Sequence, residues 1–210
     1  MTASRRLFSV AALLALLMYA SVRTDAARQQ DQEPAPDSLT GRLLVATPDL
    51  EDPNFRETVV YLVHHDQGGA MGLVINRVLG TGPLDKVLRG LGIDPHGEHK
   101  VDIELHYGGP VEPGRALMLH SPEYHAPDTV VLSDQVALTL SPRILEDIAA
   151  GKGPKRSLFA LGYAGWGPEQ LEGELAAGAW VVVEPDADLL FDDDATTKWR
   201  RAFDRRGIDL

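Results

Sequence analysis

The chain has 210 residues, of which 44% are hydrophobic, 24% are charged and 6% are aromatic, a composition typical of one globular domain and unlike that of collagen-like, coiled-coil or multi-span membrane proteins. Its formal net charge of −11 at pH 7 disfavours direct nucleic-acid binding, because such binding depends on lysine and arginine displacing counterions from phosphates. It contains no cysteine, which excludes disulfides, thiolate nucleophiles and cysteine-ligated metals.

Residues 1–26 have the pattern of a secretory signal peptide. Two arginines precede an apolar run from Leu7 to Ala20, which is shorter than the roughly 20 residues that a membrane-spanning helix needs. Small side chains at Thr24 and Ala26 suit cleavage after Ala26. We therefore expect a periplasmic or secreted protein. The alternatives are an uncleaved membrane anchor, or a transit peptide or mis-assigned start, the last of which leaves the protein cytoplasmic.

Residues 27–38 are predicted to be a disordered linker, because they contain no aliphatic side chain larger than alanine. The folded domain is expected to span residues 39–210. Since residues 1–26 carry three arginines and one aspartate, the remaining chain has a net charge of −13. An exported domain with this charge would present a strongly acidic surface.

Runs of aliphatic and β-branched residues between turn-forming residues predict the strands. The four residues at 66–69 (Asp-Gln-Gly-Gly) predict a β-hairpin over Tyr61–Asn76. Gly-Gly-Pro at 108–110 predicts a second hairpin between the strands on either side of it. The predicted strands are 42–47, 58–64, 70–76, 101–107, 115–120, 129–132, 135–140, 157–163 and 179–184.

Helical spacing of apolar residues, with proline near the start or glycine near the end, predicts helices near 83–92, 141–151 and 168–177. A last helix is predicted near 195–206, where the aspartates at 192–194 suit its N-terminus. A metal cluster at these aspartates is the less favoured alternative. Strands and helices mix without βαβ alternation, so the predicted class is α+β.

Catalytic signatures are absent from the sequence: there is no G-x-S-x-G elbow, phosphate-binding loop, H-E-x-x-H pair or EF-hand spacing. His64 and His65 are adjacent on a predicted strand and therefore point to opposite faces. The other histidines show no three-ligand spacing. The sequence predicts neither a metal nor a cofactor, and no catalytic residue can be assigned from it.

Five segments together are similar to the YqgE/AlgH family, over about Leu39 to Leu210. The resemblance implies a single α+β domain in which a bent, bifurcated, mainly antiparallel sheet forms a pseudo-barrel with helices outside. It implies no catalytic mechanism and no cofactor. The segments are LLVATPDLEDPNFRETVVYLVHH (43–65), GGAMGLVINR (68–77), YGGPV (107–111), LMLHSP (117–122), and LGYAGWGPEQLEGEL with AWVVVEPDADLLF (161–191).

The loops of these segments give one candidate binding groove, in which polar groups, glycines and aromatic rings would hold a ligand or peptide. The same residues also have a structural explanation, because turns favour Asp, Asn and Gly, and tryptophan fills cores. The candidate groove consists of Asp52, Asn54, Phe55, Asn76, Gly108, Gly109, His120, Ser121, Tyr163 and Trp166, with Pro53 and Pro110 beside them.

The favoured hypothesis from the sequence is an exported, non-catalytic binding module for an unknown protein or small ligand. Contact with a membrane is expected only through an uncleaved N-terminal segment. Two alternatives remain open. The resemblance implies a transcription-associated regulator, through the alginate-related name of some family members. His120, Ser121 or Asp52 could instead serve an unrecognised hydrolase.

Overall fold

A computed structural model describes residues 38–95, 98–192 and 194–206. The predicted signal peptide and all of the predicted linker except Ser38 lie outside the described residues, as do His96, Asp193 and the last four residues. Ser38 is tied to the domain, because its Oγ donates to the carbonyl oxygen of His65 at 2.9 Å. No helix in the described part is both long and apolar enough to span a bilayer.

Within the described residues, ten strands form one sheet and five helices pack around it. The strands are β1 (Leu43–Ala46), β2 (Val59–Asp66), β3 (Gly69–Val74), β4 (Val78–Pro83), β5 (Asp102–Tyr107), β6 (Val111–His120), β7 (Thr129–Val131), β8 (Ala137–Thr139), β9 (Ser157–Trp166) and β10 (Trp180–Val183). The helices are α1 (Leu84–Gly90), α2 (Ile144–Ala149), α3 (Gln170–Ala176), α4 (Ala187–Phe191) and α5 (Ala195–Phe203).

The sheet is bent and branched, and its branch point is β9. The main path runs β10-β1-β2-β3-β9-β6-β8-β7, while β5 also pairs with β9 and carries β4 at its outer edge. All neighbours are antiparallel except β5 and β9. The α+β class and the curled, mainly antiparallel sheet predicted from the sequence are therefore confirmed.

The predicted hairpin over Tyr61–Asn76 is present as β2 and β3, joined at Asp66 and Gly69. The predicted second hairpin is wrong, because β9 lies between β5 and β6 and pairs with both. Gly108 does not reverse the chain: its N–H donates to Leu161 of β9, and its carbonyl accepts from Val74 of β3. The Gly-Gly-Pro segment thus crosses from one branch of the sheet to the other.

Two elements were missed from the sequence. Strand β4 has the sequence Val-Leu-Gly-Thr-Gly-Pro, whose two glycines and proline weaken any strand signal, and it pairs only with β5. Helix α4 has five residues, too few for a helical period to be visible, and begins where the Asp186 side chain accepts from Leu189 N–H. Both elements depend on tertiary contacts.

The core lies on both faces of the sheet. On one face, β1 and β2 present Leu43, Val45, Val59 and Tyr61 to α4 and α5. On the other face, alternate residues of the same strands pack against Trp166, Trp180 and α3. Strand β1 is buried on both sides, which explains why its sequence is an uninterrupted apolar run. A third cluster joins α1 and α2 to β5, β6 and β9.

Candidate functional site

The loop between β1 and β2, residues 47–58, is a compact turn on the surface. The Asp52 carboxylate accepts the Asn54 N–H at 2.7 Å, and the Asp52 carbonyl accepts the N–H groups of Phe55 and Arg56. These bonds are the turn chemistry that Asp and Asn favour. The loop ends at Glu57, whose φ of 55° lies in the left-handed region that non-glycine residues seldom adopt. Contacts with other residues must therefore stabilise this backbone conformation.

Asn76, two residues after the end of β3, supplies that restraint. Its Oδ1 accepts the Val59 N–H at 2.8 Å, and its Nδ2 donates to the Glu57 carbonyl at 2.9 Å. One amide thus clamps the backbone on both sides of Thr58. Strained backbone of this kind persists only where its surroundings fix it, and it is common at binding sites.

Arg77 fixes the other end of the loop. Its Nη1 donates to the Pro53 carbonyl at 3.0 Å and its Nη2 to the Arg56 carbonyl at 2.9 Å. The guanidinium also lies 5.9 Å from the centre of the Tyr107 ring, whose hydroxyl donates to Asn54 Oδ1 at 3.3 Å. The planar fork of arginine suits two such acceptors, which lysine could not hold in the same geometry.

A cleft of about 270 Å³ opens between this loop and the start of α5. Two arginines line it: the Arg77 guanidinium is bound to loop carbonyls, and Arg56 is exposed. Its far wall includes the half-buried Trp199, whose Nε1 donates to the Ala46 carbonyl at 2.8 Å. We call this the loop–α5 cleft; its lining residues are Arg56, Glu57, Asn76, Arg77, Ala195, Thr196 and Trp199.

Phe55 and Trp166 meet, but in the core below the loop. Their ring centres are 6.1 Å apart, and Trp180 lies 5.6 Å from Phe55. Glu174 of α3 accepts the indole N–H of both tryptophans, at 2.9 and 2.8 Å. Since Trp166 is only 6% exposed and packs in the core on the face of the sheet opposite α5, it offers little surface to a ligand.

The predicted glycines have a backbone explanation. A Cβ on Gly108 would overlap the Gly162 carbonyl, and one on Gly109, where φ is +151°, would overlap the backbone of Tyr163. The two glycines therefore let β9 pass close to the crossing segment. Tyr163 is half-buried, and the Arg115 guanidinium lies 5.9 Å from its ring centre.

His120 and Ser121 do not join the loop. His120 pairs with Ser157, the first residue of β9, whereas Trp166 is the last, so the two groups lie at opposite ends of a ten-residue strand. Along a strand that length is roughly 30 Å. The single groove predicted from the sequence is therefore divided: Asp52, Asn54, Phe55, Asn76 and the underlying Trp166 come together, and His120 and Ser121 lie elsewhere.

His120 is fully buried and both of its ring nitrogens are used. Nδ1 lies 2.8 Å from the Ser121 carbonyl, which can only accept, so Nδ1 carries the proton. Nε2 then accepts the Thr139 hydroxyl at 2.9 Å. Burial lowers the pKa of His120, which agrees with a neutral ring. The Ser121 hydroxyl donates to Glu123 at 2.8 Å, so the serine and histidine do not form a nucleophile–base pair.

The acidic run before α5 acts at the helix terminus. Asp194 accepts the Thr197 N–H and both threonine hydroxyls of the first turn, and these bonds lower its pKa to about 2. Asp192 instead forms an ion pair with Arg201 at 2.6 Å. Across the described ranges, no three His, Asp or Glu side chains are grouped so that they could hold a metal ion.

Sequence reasoning missed Arg56, Arg77, Tyr107 and Trp199. Arg56 and Arg77 adjoin residues that were selected, since each directly follows Phe55 or Asn76. Two arginines next to predicted turn residues were therefore an available signal. The only sequence signal for Trp199 was its place on the inner face of the last predicted helix. Nothing in the sequence indicated that this helix lies near residues 56 and 77.

The fold and this cleft define a class: a single α+β domain with a branched, curled sheet that carries a polar surface cleft. Residues 43–210 match the sequence profile of the AlgH-like family. The chain belongs to the AlgH-like family.

Relatives share most of the chain. A UPF0301 protein of Rhodospirillum rubrum is 44% identical over 171 residues, which is 81% of this chain and 88% of the relative, and one of Caulobacter vibrioides is 45% identical over 172 residues, with the same coverage. The solution structure of the AlgH protein from Pseudomonas aeruginosa matches with a TM-score of 0.70 at 40% identity, covering 85% of this chain and 94% of that one. A Corynebacterium diphtheriae protein, 19% identical with a TM-score of 0.64, shares the fold.

Proposed function

We propose that this AlgH-like protein is an exported, non-catalytic binding module and that the loop–α5 cleft is its ligand site. The observation that carries the proposal is the fixed Arg77: its guanidinium is bound to two loop carbonyls and fixes the loop beside a cleft of about 270 Å³. A site fixed before the ligand arrives loses less conformational freedom on binding.

The cleft favours a ligand that carries a carboxylate. The exposed Arg56 guanidinium can form paired N–H···O bonds with a carboxylate, a geometry that arginine recognises well. Trp199 gives the cleft a flat apolar wall for the rest of the ligand. Glu57 also lines the cleft, so its charge would reject ligands with several negative groups close together.

Binding is favoured over the two alternatives by charge and by packing. The hydrolase hypothesis named His120, Ser121 or Asp52. His120 and Ser121 bind other partners at the far end of β9, and the Asp52 carboxylate accepts the Asn54 N–H within its own turn. The transcription-associated alternative would need an indirect route, because a net charge of −11 opposes contact with DNA.

Titration of the ¹⁵N-labelled protein with N-acetylglutamate, followed by amide chemical shifts, tests the ligand site. We expect saturable shifts at residues 56–57, 76–77 and 195–199. Arg56→Ala should weaken binding at least tenfold, since a charge-assisted bond contributes about 1.5–3 kcal/mol. Arg143→Ala removes an exposed arginine at α2 and serves as the control. Absence of saturable shifts, or equal weakening in both variants, would disprove this site.

Cell fractionation with N-terminal sequencing of the isolated chain tests the export. We expect a chain that starts near Ala27, recovered from the periplasm or the medium. A chain that retains Met1 and is recovered from the cytosol would remove the export proposal and restore the regulatory alternative. It would leave the binding experiment unaffected, so the two parts of the proposal fail separately.

A further inference from the structure

The most exposed large apolar side chains of the described residues all lie on edge strands of the sheet. Strands β10 and β7 end the main path of the sheet, and β4 pairs only with β5. Main-chain groups on the outer side of an edge strand have no neighbouring strand, so such a strand can pair with an added one. The five side chains are Val78 and Leu79 in β4, Val130 and Val131 in β7, and Val182 in β10.

Two of these edges are poorly suited to pairing. Strand β4 contains a one-residue bulge and ends in Pro83, and both features are known to protect sheet edges. In β10 only Val182 is exposed, whereas Trp180 and Val183 are 4% and 6% exposed. Strand β7 contains neither a bulge nor a proline, and its two valines are 40% and 56% exposed. It is therefore the most accessible edge of the sheet.

The main chain of Val131 faces away from the sheet. The Leu132 N–H donates to the Val136 carbonyl at 2.9 Å, in continuation of the β7–β8 register. In an antiparallel ladder, hydrogen-bonded pairs alternate with non-bonded pairs. Val130 therefore bonds to β8, and the N–H and C=O of Val131 point to the free side of β7. This edge thus offers one donor and one acceptor beside two exposed apolar side chains.

Carboxylates lie at both ends of this edge. Asp128 and Asp134 are exposed, and each is three residues from Val131. Residues 121–141 contain no lysine or arginine. Because β7 has only three residues, few main-chain bonds can form, and the charges at its ends will decide which segments pair with it. A segment with a cation at each end complements this arrangement.

A second copy of the chain does not. Antiparallel pairing of two β7 strands about Val131 would place Asp128 of each copy beside Asp134 of the other, so like charges would meet at both ends. The net charge of −11 on each copy adds to this repulsion. The charges therefore favour a different protein as the partner.

We infer that β7 binds, as an added antiparallel strand, an extended segment of another protein that has apolar residues in its centre and lysine or arginine at both ends. The main chain of Val131 bonds to the central residue of the segment, and the apolar side chains cover both valines. The two cations pair with Asp128 and Asp134. None of the residues that line the loop–α5 cleft belongs to β7, so this surface is separate from the proposed carboxylate site.

The experiment titrates the full-length ¹⁵N-labelled protein with the peptide Ac-Lys-Thr-Val-Val-Val-Thr-Lys-NH₂, whose lysines have the same spacing in sequence as Asp128 and Asp134. We expect saturable amide shifts at residues 129–132 and slower hydrogen exchange at the Val131 N–H. The peptide with glutamate in place of both lysines should bind at least tenfold more weakly at 50 mM salt. This difference should shrink at 300 mM salt, because surface charges are screened.

Methylation of peptide nitrogens tests the main-chain pairing on the unaltered protein. An N-methyl group on the central valine removes the donor to the Val131 carbonyl and should weaken binding at least tenfold. The same group on the next valine lies on the side that faces away from β7 and should change binding less than threefold. The two peptides have identical composition, so equal binding of both would overturn the strand addition.

Asp128→Asn and Asp134→Asn should each weaken the lysine peptide about three- to fivefold, as expected for one partly screened charge. Asp49→Asn removes an exposed carboxylate from the β1–β2 loop and is the control. Absence of saturable shifts in β7, or equal binding of the lysine and glutamate peptides, would overturn the inference.

Hydrogen exchange of the protein without peptide tests the other occupants. We expect the Val131 N–H to exchange rapidly at every protein concentration. Protection that grows with concentration would assign the edge to a second copy, and protection at all concentrations would assign it to another segment of the same chain. Either result would overturn the proposed partner.

Discussion

At the scale of single residues, the loop–α5 cleft depends on side chains that hold backbone in place. Asn76 clamps Glu57 and Val59, and Arg77 binds two loop carbonyls. Neither contact is local in sequence, and both join the β1–β2 loop to the end of β3. The two residues therefore position Arg56, which is exposed.

The contribution of Asn76 to stability can be compared with that of Asn54, the other asparagine of the chain. Asn76→Ala removes the partners of a main-chain N–H and of a carbonyl, so we expect the free energy of unfolding to fall by about 1–3 kcal/mol. Asn54→Ala removes one exposed acceptor of the Tyr107 hydroxyl and should cost under about 0.5 kcal/mol. Urea unfolding of both variants gives the comparison. Equal losses would show that the clamp does not hold the loop.

The residue types of the site could be predicted from the sequence only in part. Asp52, Asn54 and Asn76 were selected as polar groups in loops that could converge. Asp52 makes the turn hydrogen bond that its residue type favours, whereas the side chains of Asn54 and Asn76 form long-range bonds that no local pattern contains. In the sequence, His120 could not be distinguished from the other candidate groove residues, since a histidine beside a serine gives no sign of whether it is buried or exposed. Its burial follows from the β6–β8–β9 packing, which no local pattern contains.

At the scale of elements, the sequence predicted correctly a hairpin that depends on residues close together in the chain, and it failed for a pairing between distant segments. The β2–β3 hairpin follows from the turn between its strands. The parallel pairing of β5 with β9 joins residues about fifty positions apart, and it displaces the hairpin that the Gly-Gly-Pro segment suggested. Strand β4 was missed for another reason, since its two glycines and its proline weaken the strand signal and its pairing with β5 alone keeps it in the sheet.

The crossing segment makes a prediction about its glycines. Gly109→Ala would place a Cβ on the Tyr163 backbone at a φ that alanine avoids, so we expect a loss of more than about 3 kcal/mol in unfolding free energy, or failure to fold. Gly114→Ala, in β6, meets no atom within 4 Å and should change stability by less than about 1 kcal/mol. Thermal or urea unfolding measures both, and a tolerated Gly109→Ala would contradict the close crossing.

Glu174 of helix α3 accepts hydrogen bonds from two tryptophans of the sheet. Glu174→Ala leaves two buried indole N–H groups without an acceptor, so we expect a loss of about 2–4 kcal/mol and a changed near-ultraviolet circular dichroism signal from Trp166 and Trp180. Glu51→Ala removes an exposed carboxylate outside this helix and is the control. An unchanged aromatic signal in Glu174→Ala would show that the tryptophans do not depend on this helix.

At the scale of the whole molecule, the buried histidines make stability depend on pH. The pKa of His106 is lowered to about 4 and that of His120 is also lowered, so between pH 4 and 6.5 the unfolded chain binds more protons than the folded one. Stability therefore falls as the pH falls through this window, and is retained above it. For His106 alone the loss from pH 7 to pH 5 is about 2 kcal/mol.

Urea unfolding at pH 7 and pH 5 checks this dependence. His106→Leu should reduce the difference between the two pH values by about that amount, whatever its effect at pH 7. Val131→Leu changes an exposed side chain that does not titrate and should leave the difference unchanged. If the wild-type protein were equally stable at both pH values, the folded-state pKa of His106 would not be lowered.

The central claim is that the exposed Arg56 side chain binds a carboxylate at the loop–α5 cleft, while Arg77 fixes the Arg56 backbone by a hydrogen bond to its carbonyl. Its most direct measurement is isothermal titration calorimetry of N-acetylglutamate with the wild-type protein and with the charge-reversed Arg56→Glu variant, at 50 and 300 mM salt. The account predicts wild-type binding that weakens as salt rises, and no measurable binding to the folded variant. Binding of equal strength to both proteins at either salt concentration would contradict it.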